Sequence, residues 1–181
     1  PLYFSSLSDG KHNSKAYSVQ FDGTDDRLAV GSSSDYAFGT GDFTIEMFVY
    51  HTSLSGQQTY FSDQYGDQDG VYFYKTSNNT LSLYDNNNQV FTSGTIELNK
   101  WHHIALSRSS GVVRGFIDGV KVAEVADAHN YTETQYNIGD SHGSSSGEMV
   151  GYISNVRVLK GTGLYSSSFT PPQTTLTNIT N

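Results

Sequence analysis

The sequence predicts an all-β chain folded as a sandwich or a barrel, and three observations carry that expectation. In Trp101–Ser107, His102, Ile104 and Leu106 alternate with His103, Ala105 and Ser107, the period of a half-buried strand. Asp118-Gly119 then stands between Phe116-Ile117 and Val120-Lys121-Val122, and an Asp-Gly pair accepts the positive φ of a tight hairpin turn. Similar runs recur at roughly ten-residue spacing with turn chemistry between them. Helical periodicity is lacking throughout, so helix should be minimal.

The elements follow in order. Tyr17, Val19 and Phe21 share one face, Asp22-Gly23 supplies a turn, and Arg27–Val30 is expected to continue the pairing. Phe43–Tyr50 is the most regular strand: Phe43, Ile45, Met47 and Val49 point one way, and Thr44, Glu46, Phe48 and Tyr50 the other. Because the second face is partly aromatic, cover on both sides is expected over part of its length. Shorter strands are predicted at Thr59–Ser62, Gly70–Tyr74, Thr80–Tyr84 and Gln89–Thr92, with Asp85–Asn88 a plain turn between the last two. After Trp101–Ser107 come Val112–Ile117, Val120–Val125 and Tyr136–Gly139. In the last long strand, Glu148–Leu159, the apolar phase slips between Ile153 and Val156; one inserted residue explains the slip and predicts a β-bulge near Ser154-Asn155. Residues 1–16 read as an arm or linker, 17–160 as the domain, and 161–181, with Pro171-Pro172, as an extended tail packed on it.

A length of 181 residues suits one β-domain with a sizeable core. Ten Lys and Arg against eighteen Asp and Glu give a net charge of −8, a sign that disfavours nucleic acid and anionic membrane while permitting divalent cations. The absence of Cys excludes disulfides and thiol chemistry. No apolar run approaches the ~18 residues of a membrane-spanning helix. A chain that starts at Pro1 is expected to be a processed product or a piece of something longer.

Five segments then carry a resemblance: Phe21–Asp26, Asp42–Val49, Lys100–Arg108, Gly115–Gly119 and Gly151–Val158. In this order they resemble the concanavalin A-like lectin superfamily, in its laminin G-like branch. The resemblance implies an antiparallel two-sheet jelly roll that binds glycans or proteins, frequently with Ca²⁺ at a loop edge. The tail Lys160–Pro172 resembles the end of laminin G-like modules in bacteriophage structural and tail proteins. That second likeness implies a place on a virion surface, with a secreted or bacterial cell-surface location as the alternative, and a glycan, a host surface component, other virion proteins or a second copy as partners. Fold alone does not fix function, so these remain expectations.

The superfamily also holds glycoside hydrolases, which need two carboxylates ~5 Å apart for retaining chemistry. Phe43–Tyr50, the strand that would correspond, carries only Glu46, which argues against such an enzyme. No Gly-x-Ser-x-Gly elbow occurs. Asp63, Asp67 and Asp69 share a glycine-bearing loop that could give oxygen ligands to Ca²⁺, with Asp140 completing the site from a neighbouring loop. The plainer reading is a solvated acidic loop, with Asp140 a turn residue. Asp22, Asp25 and Asp26 read as a structural turn, and Asp118 as hairpin chemistry. His102 and His103 face opposite sheets and cannot chelate one ion together. A sugar platform needs aromatic faces beside hydrogen-bonding groups; Tyr60, Tyr65 and Tyr72 with Asn86 and Asn88, and His129 with Tyr131, supply two such groupings. The function expected is a non-catalytic carbohydrate or host-surface binding module; the alternative is a structural virion decoration that binds no glycan.

Overall fold

The computed structural model describes residues 4–5 (backbone only), 17–62, 69–85, 88–141, 147–174 and 176. Two antiparallel sheets stack as a jelly-roll sandwich. The larger sheet runs β1 (Phe4–Ser5), β2 (Ser18–Asp22), β13 (Val150–Lys160), β4 (Phe43–His51), β9 (Trp101–Ser109), β10 (Val112–Ile117), β11 (Val120–Ala126). The smaller runs β3 (Leu28–Val30), β12 (Tyr136–Ile138), β5 (Gln58–Ser62), β6 (Tyr72–Lys75), β7 (Leu81–Asp85), β8 (Asn88–Ser93). Helix among the described residues is confined to a 3₁₀ turn, Ser34–Tyr36, whose Asp35 N–H is capped by the Ser33 hydroxyl.

Alternation decides which side chains fill the space between the sheets. Ile45, Met47 and Val49 of β4, Ile104 and Leu106 of β9 and Ile153 of β13 face Phe61, Phe73, Leu81, Leu83, Phe91 and Ile138 of the smaller sheet, all buried. Gly115 permits the close approach: a Cβ there would stand 2.6 Å from the Phe91 ring. The Asp118-Gly119 turn has φ of 51° and 76°, the doubly left-handed geometry its sequence requires. In β13 the register with β4 shifts between Ser154 and Arg157, three steps against two, and Asn155 takes φ 50°; the phase slip is a bulge.

Two expectations fail. Arg27–Val30 does not pair with β2; β3 crosses to the other sheet and pairs with β12, while β2 lies between β1 and β13. The Asp22–Asp26 loop is held by its own carboxylates, Asp26 accepting from Asp22 N–H and Asp22 from Thr24 N–H, so it ends β2 without forming a hairpin. Nor is Asp85 a plain turn residue. It is buried, and its carboxylate accepts a 3.1 Å hydrogen bond from the Tyr131 hydroxyl.

Beyond Lys160 the chain crosses the outer face of the larger sheet. Leu164 N–H donates to Thr44 Oγ1, Tyr165 N–H to Ser107 Oγ and Phe169 N–H to the Gly119 carbonyl. Tyr165 and Phe169 stack with centroids 3.6 Å apart and cover Phe116 and His103. This segment is the cover for the second face of β4.

Candidate functional site

The segment between β4 and β5 forms one wall of an open cleft of about 430 Å³, lined by Gly23, Ser55, Gly56, Gln57, Gly147, Glu148 and Val150. Two buried side chains fix that wall from beneath. Gln58 uses its whole amide: Nε2 donates to the Ser53 and Ser55 carbonyls, and Oε1 accepts from Val150 N–H, joining the opposite walls. The same Oε1 receives His51 Nδ1–H at 2.9 Å, which leaves His51 Nε2 to accept from the Tyr60 hydroxyl at 3.0 Å. Burial holds the His51 pKa down to about 4, so the ring is neutral.

Lys75 is the second pin. Its ammonium is enclosed by the Leu54, Gly56 and Thr76 carbonyls and Asn79 Oδ1 at 2.8–3.2 Å. Burial brings its pKa down to about 8, so it still carries its charge at neutral pH. A charge taken out of water is tolerable when its donors are met, and four oxygens meet them here. Sequence reading missed Lys75, though the signal was present: it shares the inward phase of Phe73 in Tyr72–Lys75.

Tyr72 stands at the cleft's border. It stacks on Tyr74 with centroids 4.6 Å apart, and its hydroxyl meets Gln57 Nε2 and, at 3.2 Å, Thr59 Oγ1. Gly147 adjoins the same hydroxyl, where a Cβ would lie 3.4 Å away, and its carbonyl accepts from Thr59 N–H. The Gln57 amide, the Glu148 carboxylate, the Ser55 hydroxyl and backbone groups therefore line an open concavity, with the Tyr72 hydroxyl held against Gln57 at its border. Such a set can hydrogen-bond hydroxyls in several directions and offers no activated nucleophile.

The other expected site residues are distributed differently. Tyr60 and Tyr131 are wholly buried, Tyr60 on His51 and Tyr131 bridging Asp85 and Asp127, so neither ring can face a ligand. Tyr131 is held there in part by Asp85, 46 residues away in the sequence. His129 packs on Tyr131 near Asp69, at the Ser62 end of β5, with exposed Asn88 at the tip of the β7–β8 hairpin. Asp140 lies at the opposite end of β5, beside Arg27 at 3.6 Å. Burial, then the Glu148 charge, pushes its carboxyl pKa up. Asp69 and Asp140 thus do not fit a single calcium ion, and among the described residues no three acidic or histidine groups converge as a metal site. Asp63, Tyr65, Asp67 and Asn86 lie outside the described residues.

Glu46 and the two histidines are structural. Glu46 is fully buried on the outer face of β4 under the tail, where it binds Arg157, His103 and the Tyr165 hydroxyl. Burial would raise its pKa, but the His103 and Arg157 hydrogen bonds win and hold it below the ordinary value. His102 accepts from Glu97 N–H at Nε2 and so donates from Nδ1 to Asp118, bracing the hairpin.

Comparison with known proteins agrees with this architecture. Residues 22–162 match the family model Laminin_G_3, described as the Concanavalin A-like lectin/glucanases superfamily. No curated protein matches the chain by sequence. Among solved structures, a heptameric SAP-like pentraxin from Limulus polyphemus superposes with a TM-score of 0.59 at 19% identity, over 78% of this chain and 74% of the pentraxin. A Trypanosoma rangeli sialidase in complex with the inhibitor DANA gives 0.66 at 17% identity over 83% of this chain, which spans 26% of the sialidase. The CBM40 of the Ruminococcus gnavus IT-sialidase, bound to α2,3 sialyllactose, gives 0.63 at 13% identity over 82% of this chain and 93% of that one. Likeness at these identities establishes the fold.

Proposed function

The chain belongs to the Concanavalin A-like lectin/glucanases superfamily, and from that premise we propose that it is a non-catalytic glycan-binding module. The observation that carries the reading is the rim cleft between Gln57 and Glu148, preorganised by Gln58 and Lys75 and bordered by the Tyr72 ring. Rigid walls lower the ordering cost that a shallow polar site cannot otherwise offset. The carbohydrate ligand held by the similarly folded CBM40 supports the choice of ligand class. Against hydrolysis, the one carboxylate on β4 is consumed by Arg157, His103 and Tyr165 beneath the tail.

The segment Lys160–Pro172 supports a setting on a virion, as a host-attachment or tail-associated domain. Single-site affinity would then be weak and attachment multivalent. The test is a glycan array followed by titration calorimetry on the best ligand. Gln57→Ala should weaken binding about tenfold by removing a polar contact and freeing the Tyr72 hydroxyl. Binding at this cleft should persist in chelator, because Lys75 holds the Leu54 and Gly56 carbonyls of its wall. Unchanged affinity in both Gln57→Ala and Tyr72→Ala would refute the cleft as the site.

A further inference from the structure

The end of the sandwich opposite the cleft is closed by buried polar groups. Gln58, at the cleft, aligns with Lys75 and Leu81 across β5, β6 and β7, whereas Asp85 stands at the other end of β7. There the Tyr131 hydroxyl lies 3.1 Å from Asp85 Oδ2 and 3.0 Å from Asp127 Oδ2, and all three residues are buried. A phenol carries one proton, so against two ionised carboxylates one of these contacts is left without a hydrogen. The two carboxyls are not equivalent. Asp127 Oδ1 accepts from His129 N–H at 2.8 Å, and Arg108 Nε forms an ion pair with its Oδ2 at 3.0 Å. Among the described residues, the Asp85 carboxyl has the Tyr131 hydroxyl as its one hydrogen-bond donor.

We propose that Asp85, Tyr131 and Asp127 form a latch that tightens in acid: Asp85 takes one proton from water and donates it to the phenol oxygen, while the Tyr131 hydroxyl donates to Asp127. No other bond changes. In the ionised state the hydroxyl serves one carboxylate at a time, and two anions face each other across it. In the protonated state both contacts carry a hydrogen, and the remaining charge stays on Asp127 beside Arg108. The surrounding groups set the balance. Burial raises the Asp85 pKa and the Asp127 charge adds to it; the Tyr131 hydrogen bond, His129 and Arg108 favour the ionised form but do not overcome it. The native chain therefore binds this proton more tightly than the unfolded one. Its stabilisation is complete below the ordinary aspartate value and is lost as pH rises through the native one. The latch joins β7 of the smaller sheet to the segment 127–131 and, through Arg108, to β9 of the larger sheet. It stiffens the hairpin end that presents exposed Asn88.

The experiment follows Asp85 Cγ and Tyr131 Cζ by carbon-13 NMR from about pH 7 to about pH 4, with Asp85→Asn and Tyr131→Phe assigning the two signals. Both nuclei should move together, in one step centred above the ordinary aspartate value. A buried aspartate without the latch would move its own Cγ and leave Tyr131 Cζ still. Asp85→Asn places a permanent amide donor where the proton would sit. That variant should melt roughly 2–4 °C above the parent at about pH 7, and the gap should narrow toward about pH 4. The His51 contribution is common to both chains and cancels in this difference. An Asp85 step at or below the ordinary aspartate value, a stationary Tyr131 Cζ, or a gap that does not narrow overturns the proposal. Should Asp85→Asn fail to fold, the parent's two titration curves decide by themselves.

Discussion

Lys75 and Glu46 are both buried charges, but they serve opposite faces of the molecule. Lys75→Met removes the cation that four oxygens surround, and three of those oxygens belong to backbone at the cleft wall or the adjoining turn. An unmet buried acceptor costs roughly 1–3 kcal/mol, so a loss of about 3 kcal/mol is expected in urea denaturation, with weaker glycan binding alongside. Glu46→Ala leaves Arg157 and His103 without their carboxylate, a change that typically costs about 3–5 kcal/mol. That variant should bind glycan as the parent does, once compared at a temperature where both are folded. A glycan affinity that falls with Glu46→Ala and not with Lys75→Met would reverse the roles assigned to them.

At the scale of elements, the β10–β11 hairpin is the most strongly specified unit. Its turn chemistry is local, yet Asp118 also receives His103 N–H at 2.9 Å and His102 Nδ1–H at 2.8 Å. Asp118→Ala should therefore cost about 1–3 kcal/mol, more than an exposed turn residue would. Gly119 is fixed twice, by φ 76° and by the tail, because a Cβ would fall 2.0 Å from the Phe169 carbonyl oxygen. Gly119→Ala should dislodge the tail as well as strain the turn. Limited proteolysis checks this: cleavage after Lys160 should accelerate in Gly119→Ala and stay slow in Asp118→Asn.

For the whole molecule, acid sensitivity is the sharpest expectation. His51 has its pKa held down to about 4 by burial, against an ordinary value near 6.5. Between those values the unfolded chain takes up a proton that the native ring refuses, so stability falls as pH drops from about 6.5 to about 4. The integrated loss has an upper figure of about 3 kcal/mol. Below about 4.5 the depressed Glu46 carboxyl adds its own loss as it protonates, while Asp85 and Asp140, raised by burial, act with the opposite sign. Denaturation midpoints across this range should therefore decline well before the carboxylates titrate, and His51→Gln should flatten the upper half of the decline. A midpoint constant between pH 7 and 5 would refute the neutral-histidine assignment.

The strands, the Asp118-Gly119 hairpin and the bulge at Asn155 were legible in the chain, because alternation and turn chemistry act between near neighbours; the pattern left sandwich or barrel open, and two sheets were implied only by the resemblance of five segments to the superfamily. Lys75 went unread, although its phase with Phe73 marks it as an inward-facing charge. That β3 leaves β2 for β12, that Tyr60 and Tyr131 are core residues, and that Asp69 and Asp140 stand at opposite ends of β5 emerged with the folded chain. Those outcomes depend on which distant strands pair and which face is covered, and burial of a tyrosine or the meeting of two carboxylates is set by that pairing, which no local period encodes.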